Sequence, residues 1–132
     1  MDISFFIPAN KHDFEAVERI KNADPKDVEE HLPQIFEWIE DINWPVAQEL
    51  VKVLAGFDDL IMPFVIDLIR NPDGLREYSI YYFMLPLLTN RQLQLLKEEL
   101  ERVAHNPSPF EKDEEYDKIA LKYLQKIVSI TD

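Results

Sequence analysis

The residues best suited to proton transfer are three histidines, at positions 12, 31 and 105, each far from the others along the chain. A zinc site takes three or four ligands in tetrahedral array, and neither a His-x3-His nor a His-Glu-x-x-His spacing occurs. His12 and Asp13 are adjacent, an arrangement that can hold an imidazole in one tautomer for general-base work, as in a small hydrolase or ligand-binding protein. The same pair also serves as a helix-start cap beside a loop residue. Carboxylates are plentiful, and Glu37 with Asp41 or Glu98 with Glu101 share a helix face by spacing alone. Acid–base catalysis needs such groups in a cleft with a displaced pKa, whereas acids on a wet helix face are simply solvated. Cysteine is absent, which removes thiolate nucleophiles and thiolate metal ligands. Two isolated glycines cannot build a phosphate-cradling loop, and no Ser or Thr stands in a nucleophile-elbow setting. No catalytic set, metal site or cofactor is expected.

Trp38, Trp44, Tyr78, Tyr81 and Tyr82 carry a different chemistry, because Trp and Tyr are common anchors of protein interfaces. The expected binding residues are Trp38, Asp41, Trp44, Glu49, Arg76, Tyr78 and His12. The alternative is structural: Trp44 fills the gap between neighbouring helix pairs, and Tyr82 points into the core with its hydroxyl at the rim. Buried in that way, Trp44 replaced by Ala would cost about 3–5 kcal/mol. The net charge is −12, from 26 acidic against 14 basic residues. Nucleic-acid binding depends on Lys and Arg neutralising phosphates, so DNA and RNA are poor partners. Acidic surface steers basic partners, and it also serves solubility.

These side chains must be positioned by helices. With two glycines and nine prolines, the composition reads as helices punctuated by proline rather than as a β-protein rich in glycine turns. An extended lead-in over residues 1–11 packs Ile3, Phe5, Phe6 and Ile7, and Asp13 caps a helix whose inner side is Phe14, Val17 and Ile20. Asp24-Pro25 opens a further turn. Next come two short helices over residues 32–56, the first with Ile35, Phe36 and Ile39 inside. The second is capped by Asn43, opened by Pro45, lined by Val46, Ala47, Leu50, Val53 and Leu54, and closed at a C′ Gly56. Asp58 or Asp59 is expected to cap the helix bearing Leu60, Ile61, Phe64, Val65, Leu68 and Ile69, and Asn71-Pro72-Asp73-Gly74 ends it. The stretch 75–88 is apolar nearly all round, which predicts a helix covered on several sides at the centre of the core. Thr89 or Asn90 opens a helix with Leu93, Leu96, Leu100 and Val103 inside and Arg102 outside. The last helix starts among Glu111, Asp113, Glu114 and Glu115, acids that complement a helix N-terminus, and turns Tyr116, Ile119, Ala120, Tyr123, Leu124 and Ile127 inward.

A slide of thirty residues aligns Pro33 with Pro63, Ile35 with Val65, Ile39 with Ile69 and Asn43 with Asp73; a slide of thirty-five gives a looser third copy. Two amphipathic helices cannot hide their stripe alone, so copies stack. The Asp41-Ile42-Asn43-Trp44-Pro45-Val46 junction resembles the inter-helix turn of HEAT repeats. From Lys11-His12-Asp13 to Asn106-Pro107 the chain also resembles a small bacterial all-helical family known only as a domain of unknown function. That resemblance implies an all-α fold, a short right-handed α–α superhelix of about three helix pairs plus an N-terminal helix, and carries no activity or catalytic residue with it. The expected organisation is one domain: residues 1–31 as lead-in and first helix, then pairs at 32–57, 58–88 and 89–132.

The apolar runs are too short for a membrane span, and the first residues lack the basic flank of a secretory signal, so a cytoplasmic protein is expected. The function expected from these features is a small interaction module, a monomer or weak dimer, that binds a basic protein through an acidic and aromatic face. An immunity or antitoxin-like role is one version of it, by analogy of build. The alternatives are a structural subunit of a complex or, further off, a ligand-binding protein or hydrolase using His12 and Asp13.

Overall fold

The computed structural model describes residues 5–72 and 74–131; the expected packing of Ile3 and the share of Asp73 in the 71–74 turn lie outside them. The chain is all-α, with no strand among the described residues. It divides into two compact units, Met1–Leu87 and Leu88–Asp132.

In the first unit α1 spans Phe14–Asn22, and its N-cap Asp13 accepts the Ala16 N–H. Ala16, Val17 and Ile20 are buried, but Phe14 is 44% exposed, against expectation. At 3.6 residues per turn Phe14 lies roughly 110° from the centre of the stripe those three define, and the fully buried Phe6 of the lead-in supplies the aromatic bulk instead. Helix α2, Pro25–Glu29, is capped by Asp24 on the Lys26 N–H with Pro25 in its first turn. Helix α3, Leu32–Glu37, buries Leu32, Ile35 and Phe36.

Helix α4, Pro45–Ala55, is not capped by Asn43. A residue before proline is pushed to extended backbone, so Trp44 (φ −64°, ψ 130°) becomes the N-cap and offers no side-chain bond. The first-turn N–H of Val46 finds the Lys11 carbonyl of the lead-in at 3.1 Å instead. Gly56 is also not left-handed (φ −76°). The left-handed residue is Asp58 (φ 58°), one of the few types that tolerate it. Neither Asp58 nor Asp59 caps the next helix: a 3-10 turn, Asp58–Ile61, runs directly into α5, Met62–Arg70.

The continuous helix expected over residues 75–88 is broken into a short α6 (Glu77–Ser79), a π-helical turn (Ile80–Met84) and a 3-10 turn (Leu85–Leu87). The Leu85 N–H reaches back to the Ile80 carbonyl, and Pro86, with no N–H, cannot continue the ladder. Ile80, Tyr81, Met84 and Leu85 are buried, whereas Tyr78 (50%) and Tyr82 (44%) are exposed. An apolar segment is thus covered on one side only, and Tyr81 rather than Tyr82 enters the core. Glu77, a charged residue, is nevertheless buried and accepts the N–H of Gly74 at 3.1 Å. Gly74 needs its freedom there, at φ 80°.

Helix α4 packs against α1 and against the 80–84 turn, while the Phe36–Phe64 stack ties α3 to α5. Six residues make α3 about 9 Å long against about 16 Å for α4, too short to cover the α4 stripe as its sequence neighbour. The repeated pair is therefore not the organising contact of α4. Ser79 adds a buried polar link, its hydroxyl donating to the Ile39 carbonyl at 2.5 Å. Replacing Ser79 with Ala strands that carbonyl and is expected to lower stability by about 1–3 kcal/mol, read as a shifted urea midpoint with an unchanged slope.

In the second unit Thr89 and Gln92 form a capping box at the start of α7, Asn90–Leu95. Helix α8, Lys97–His105, lies along α10, Tyr116–Thr131. Leu93, Leu96, Leu100 and Val103 are buried, as are Tyr116, Ala120, Tyr123, Leu124 and Ile127, while Lys118, Lys122 and Lys126 face solvent. The acids before α10 do not begin that helix. Pro109–Asp113 forms a separate α9 with a Ser108–Glu111 capping box, and Glu115 turns the chain left-handed (φ 63°). Arg102, expected outside, makes a two-pronged ion pair with the buried Glu111 at 2.6 and 2.8 Å. No helix among the described residues is long and apolar enough to cross a membrane.

Candidate functional site

The corner between α3 and α4 gathers the largest share of the expected binding residues. Trp38 ends α3 and Trp44 precedes α4, and their rings meet at 5.6 Å, tilted by 56°. The turn between them is held by Asp41, whose carboxylate accepts the Asn43 N–H at 2.9 Å and whose carbonyl accepts the Trp44 N–H at 3.0 Å. Both indoles are half-buried, and Glu37 and Asp41 are exposed beside them with Glu40 half-buried. Among the described residues, none of these three acids is joined to a lysine or arginine. Trp44 therefore does not fill an enclosed gap. Its replacement by Ala is expected to cost about 1–2 kcal/mol, less than half the figure for a fully buried aromatic ring; a denaturant melt of the variant checks it.

The Lys11 carbonyl bond to Val46 brings the 11–12 turn alongside the start of α4, with His12 exposed. Asp13 does not orient that imidazole. Its two oxygens accept the backbone N–H groups of Ala9 (2.9 Å) and Ala16 (3.3 Å). These bonds, the one from Ala9 foremost, hold its pKa below the ordinary aspartate value. The pair is a helix cap beside a loop histidine, and the His12–Asp13 dyad loses its geometric basis.

The other expected residues are dispersed. Glu49 sits in a cleft between α1 and α4 with Glu18, Lys21 and Val53, paired to Lys52 at 3.2 Å. Arg76 lines a different cleft, between α3 and α5. Tyr78 lies on the outer side of the π-helical turn against Tyr82, with ring centroids 4.6 Å apart. Thus Trp38, Asp41, Trp44 and the turn carrying His12 come together, while Glu49, Arg76 and Tyr78 do not join them.

Two features escaped the reading of the sequence. Residues 27–69 hold ten carboxylates and a single lysine, a charge asymmetry spread over several helices and so not apparent in any one of them. The α3–α5 cleft, with Glu37 and Asp67 on its two walls, joins helices some thirty residues apart; the thirty-residue alignment points to their stacking, but nothing local marks a cleft between them. Among the described residues no group of three or more His, Asp or Glu is placed to hold a metal ion.

No curated protein matches the chain. A family model does, over residues 6–124, and so through both compact units. The chain belongs to the family described as Domain of unknown function (DUF5071).

Proposed function

We propose that the protein is a small interaction module that binds a basic protein partner through the acidic and aromatic corner of its first unit. The observation that carries this reading is the half-exposed Trp38–Trp44 pair, set in a stretch of ten carboxylates and one lysine. A lysine or arginine over an indole face gains about 0.5–2 kcal/mol, more as water is excluded, and the surrounding carboxylates speed encounter with a positive surface. The working form is a cytoplasmic monomer or weak dimer, and a basic toxin held by its antidote is one partner class of suitable charge. Assignment of Asp13 to a helix cap removes support from the hydrolase reading.

The test is affinity capture at two salt concentrations with wild type and a Trp38→Ala/Trp44→Ala variant. A specific basic protein is expected on the wild type, weakened at high salt and missing from the variant. Retention of nothing specific, or of proteins indifferent to both salt and substitution, would overturn the proposal.

A further inference from the structure

The cleft between α3 and α5 has a chemistry of its own. It encloses about 300 Å³, the low end of the range for ligand pockets and room for one long side chain. Phe36 and Phe64 stand nearly parallel, 5.7 Å apart with 19° between their planes. Phe36 is buried, so the half-buried Phe64 presents the aromatic surface that an occupant meets. Glu37 from α3 and Asp67 from α5 are exposed on opposite walls. Asp67 accepts a bond from the Asn71 amide at 2.9 Å. Among the described residues neither acid is ion-paired to a lysine or arginine. Arg76 adjoins the same cleft, so two carboxylates and one guanidinium leave a single net negative charge.

That balance suits one cation and disfavours an anion, and an apolar occupant would desolvate both acids without compensation. Between the two cationic side chains, lysine is a strongly hydrated point charge. Arginine is planar, stacks on an aromatic face and presents N–H edges in more than one direction. A guanidinium lying on Phe64 can meet a carboxylate from each helix. The geometry points to this cleft as the receptor for one arginine side chain of the basic partner. The inference rests on the proposed function for the partner, but not for the chemistry of the cleft.

An amide-resolved NMR titration tests it, using N-acetyl-arginine amide, the lysine counterpart and the uncharged citrulline counterpart as probes. The arginine probe is expected to shift Glu37, Phe64, Asp67 and Leu68 saturably. The lysine probe binds at least about tenfold more weakly, and the citrulline probe leaves these amides unmoved. The double variant Glu37→Gln/Asp67→Asn, with its melting curve checked against wild type, loses the response. Shifts scattered over the acidic surface without saturation would overturn the inference, as would equal binding of lysine and arginine. Capture of a basic protein that survives the double variant, with no cleft response to arginine, sinks the cleft assignment and leaves the interaction module standing. Saturable arginine binding in the cleft with no basic protein captured upholds the cleft and sinks the partner reading.

Discussion

Replacing Arg102 with Met is expected to destabilise the protein by about 3 kcal/mol at neutral pH, the low end of what breaking a buried ion pair costs. Glu111 is 1% exposed, and its carboxylate is held by both arms of the Arg102 guanidinium and by the Ser108 N–H at 2.8 Å. Removal of the guanidinium leaves a buried charge with one backbone donor. The partial exposure of Arg102, 37% for its side chain, lets water reach the pair and keeps the cost from rising higher. Burial pushes the Glu111 pKa up, but the Arg102 bonds, the Ser108 bonds and the nearby positive charge outweigh it and hold it below the ordinary 4.5. A carboxylate depressed in the folded state contributes stability that is fully present above the unfolded value. That contribution is lost as pH falls through the folded one. Urea melts of wild type and Arg102→Met should therefore differ most near neutrality and converge in acid, once Glu111 is protonated in both. A gap that stayed constant down to acid pH would show that the variant had lost packing alone. Glu111→Gln, which keeps shape and Ser108 contact without the charge, is expected to cost less than Arg102→Met.

Phe36→Ala is expected to cost about 3–5 kcal/mol, the usual figure for emptying a buried aromatic site. Phe36 is 1% exposed and stacked on Phe64, and it sits on a helix of only six residues. A helix that short has no stability of its own. It exists because Leu32, Ile35 and Phe36 are buried. The loss should therefore be felt locally as well as globally, with amide exchange over residues 32–37 accelerating beyond that of α4. Phe36→Leu, which refills most of the volume, should restore well over half of the loss. An Ala variant with an unshifted melting curve would contradict the placement of this ring.

The proposed interaction surface is half legible in the sequence. Trp38, Asp41 and Trp44 are close in sequence across one tight turn, so their meeting follows from local geometry. Glu49, Arg76 and Tyr78 share only residue type with them, and residue type says nothing about which helix faces which. Phe64 and Asp67 reach the wall opposite Phe36 and Glu37 only because α5 folds back beside α3, a contact between positions some thirty residues apart.

What the amino-acid order determined by itself was short-range. Asp13, Asp24 and Thr89 cap helices because each can turn a side-chain oxygen onto an N–H two or three residues ahead. The stripes of α8 and α10 are buried because their apolar residues recur at the helical period. Tertiary structure decided what no local rule encodes: Tyr81 rather than Tyr82 in the core, Arg102 turned onto Glu111, and α4 covered by α1 and the 80–84 turn. Periodicity states how much apolar surface a helix must hide. Which neighbour hides it depends on helix lengths and on backbone breaks such as those at Pro45 and Pro86, settled only when each unit closes around its own set of contacts.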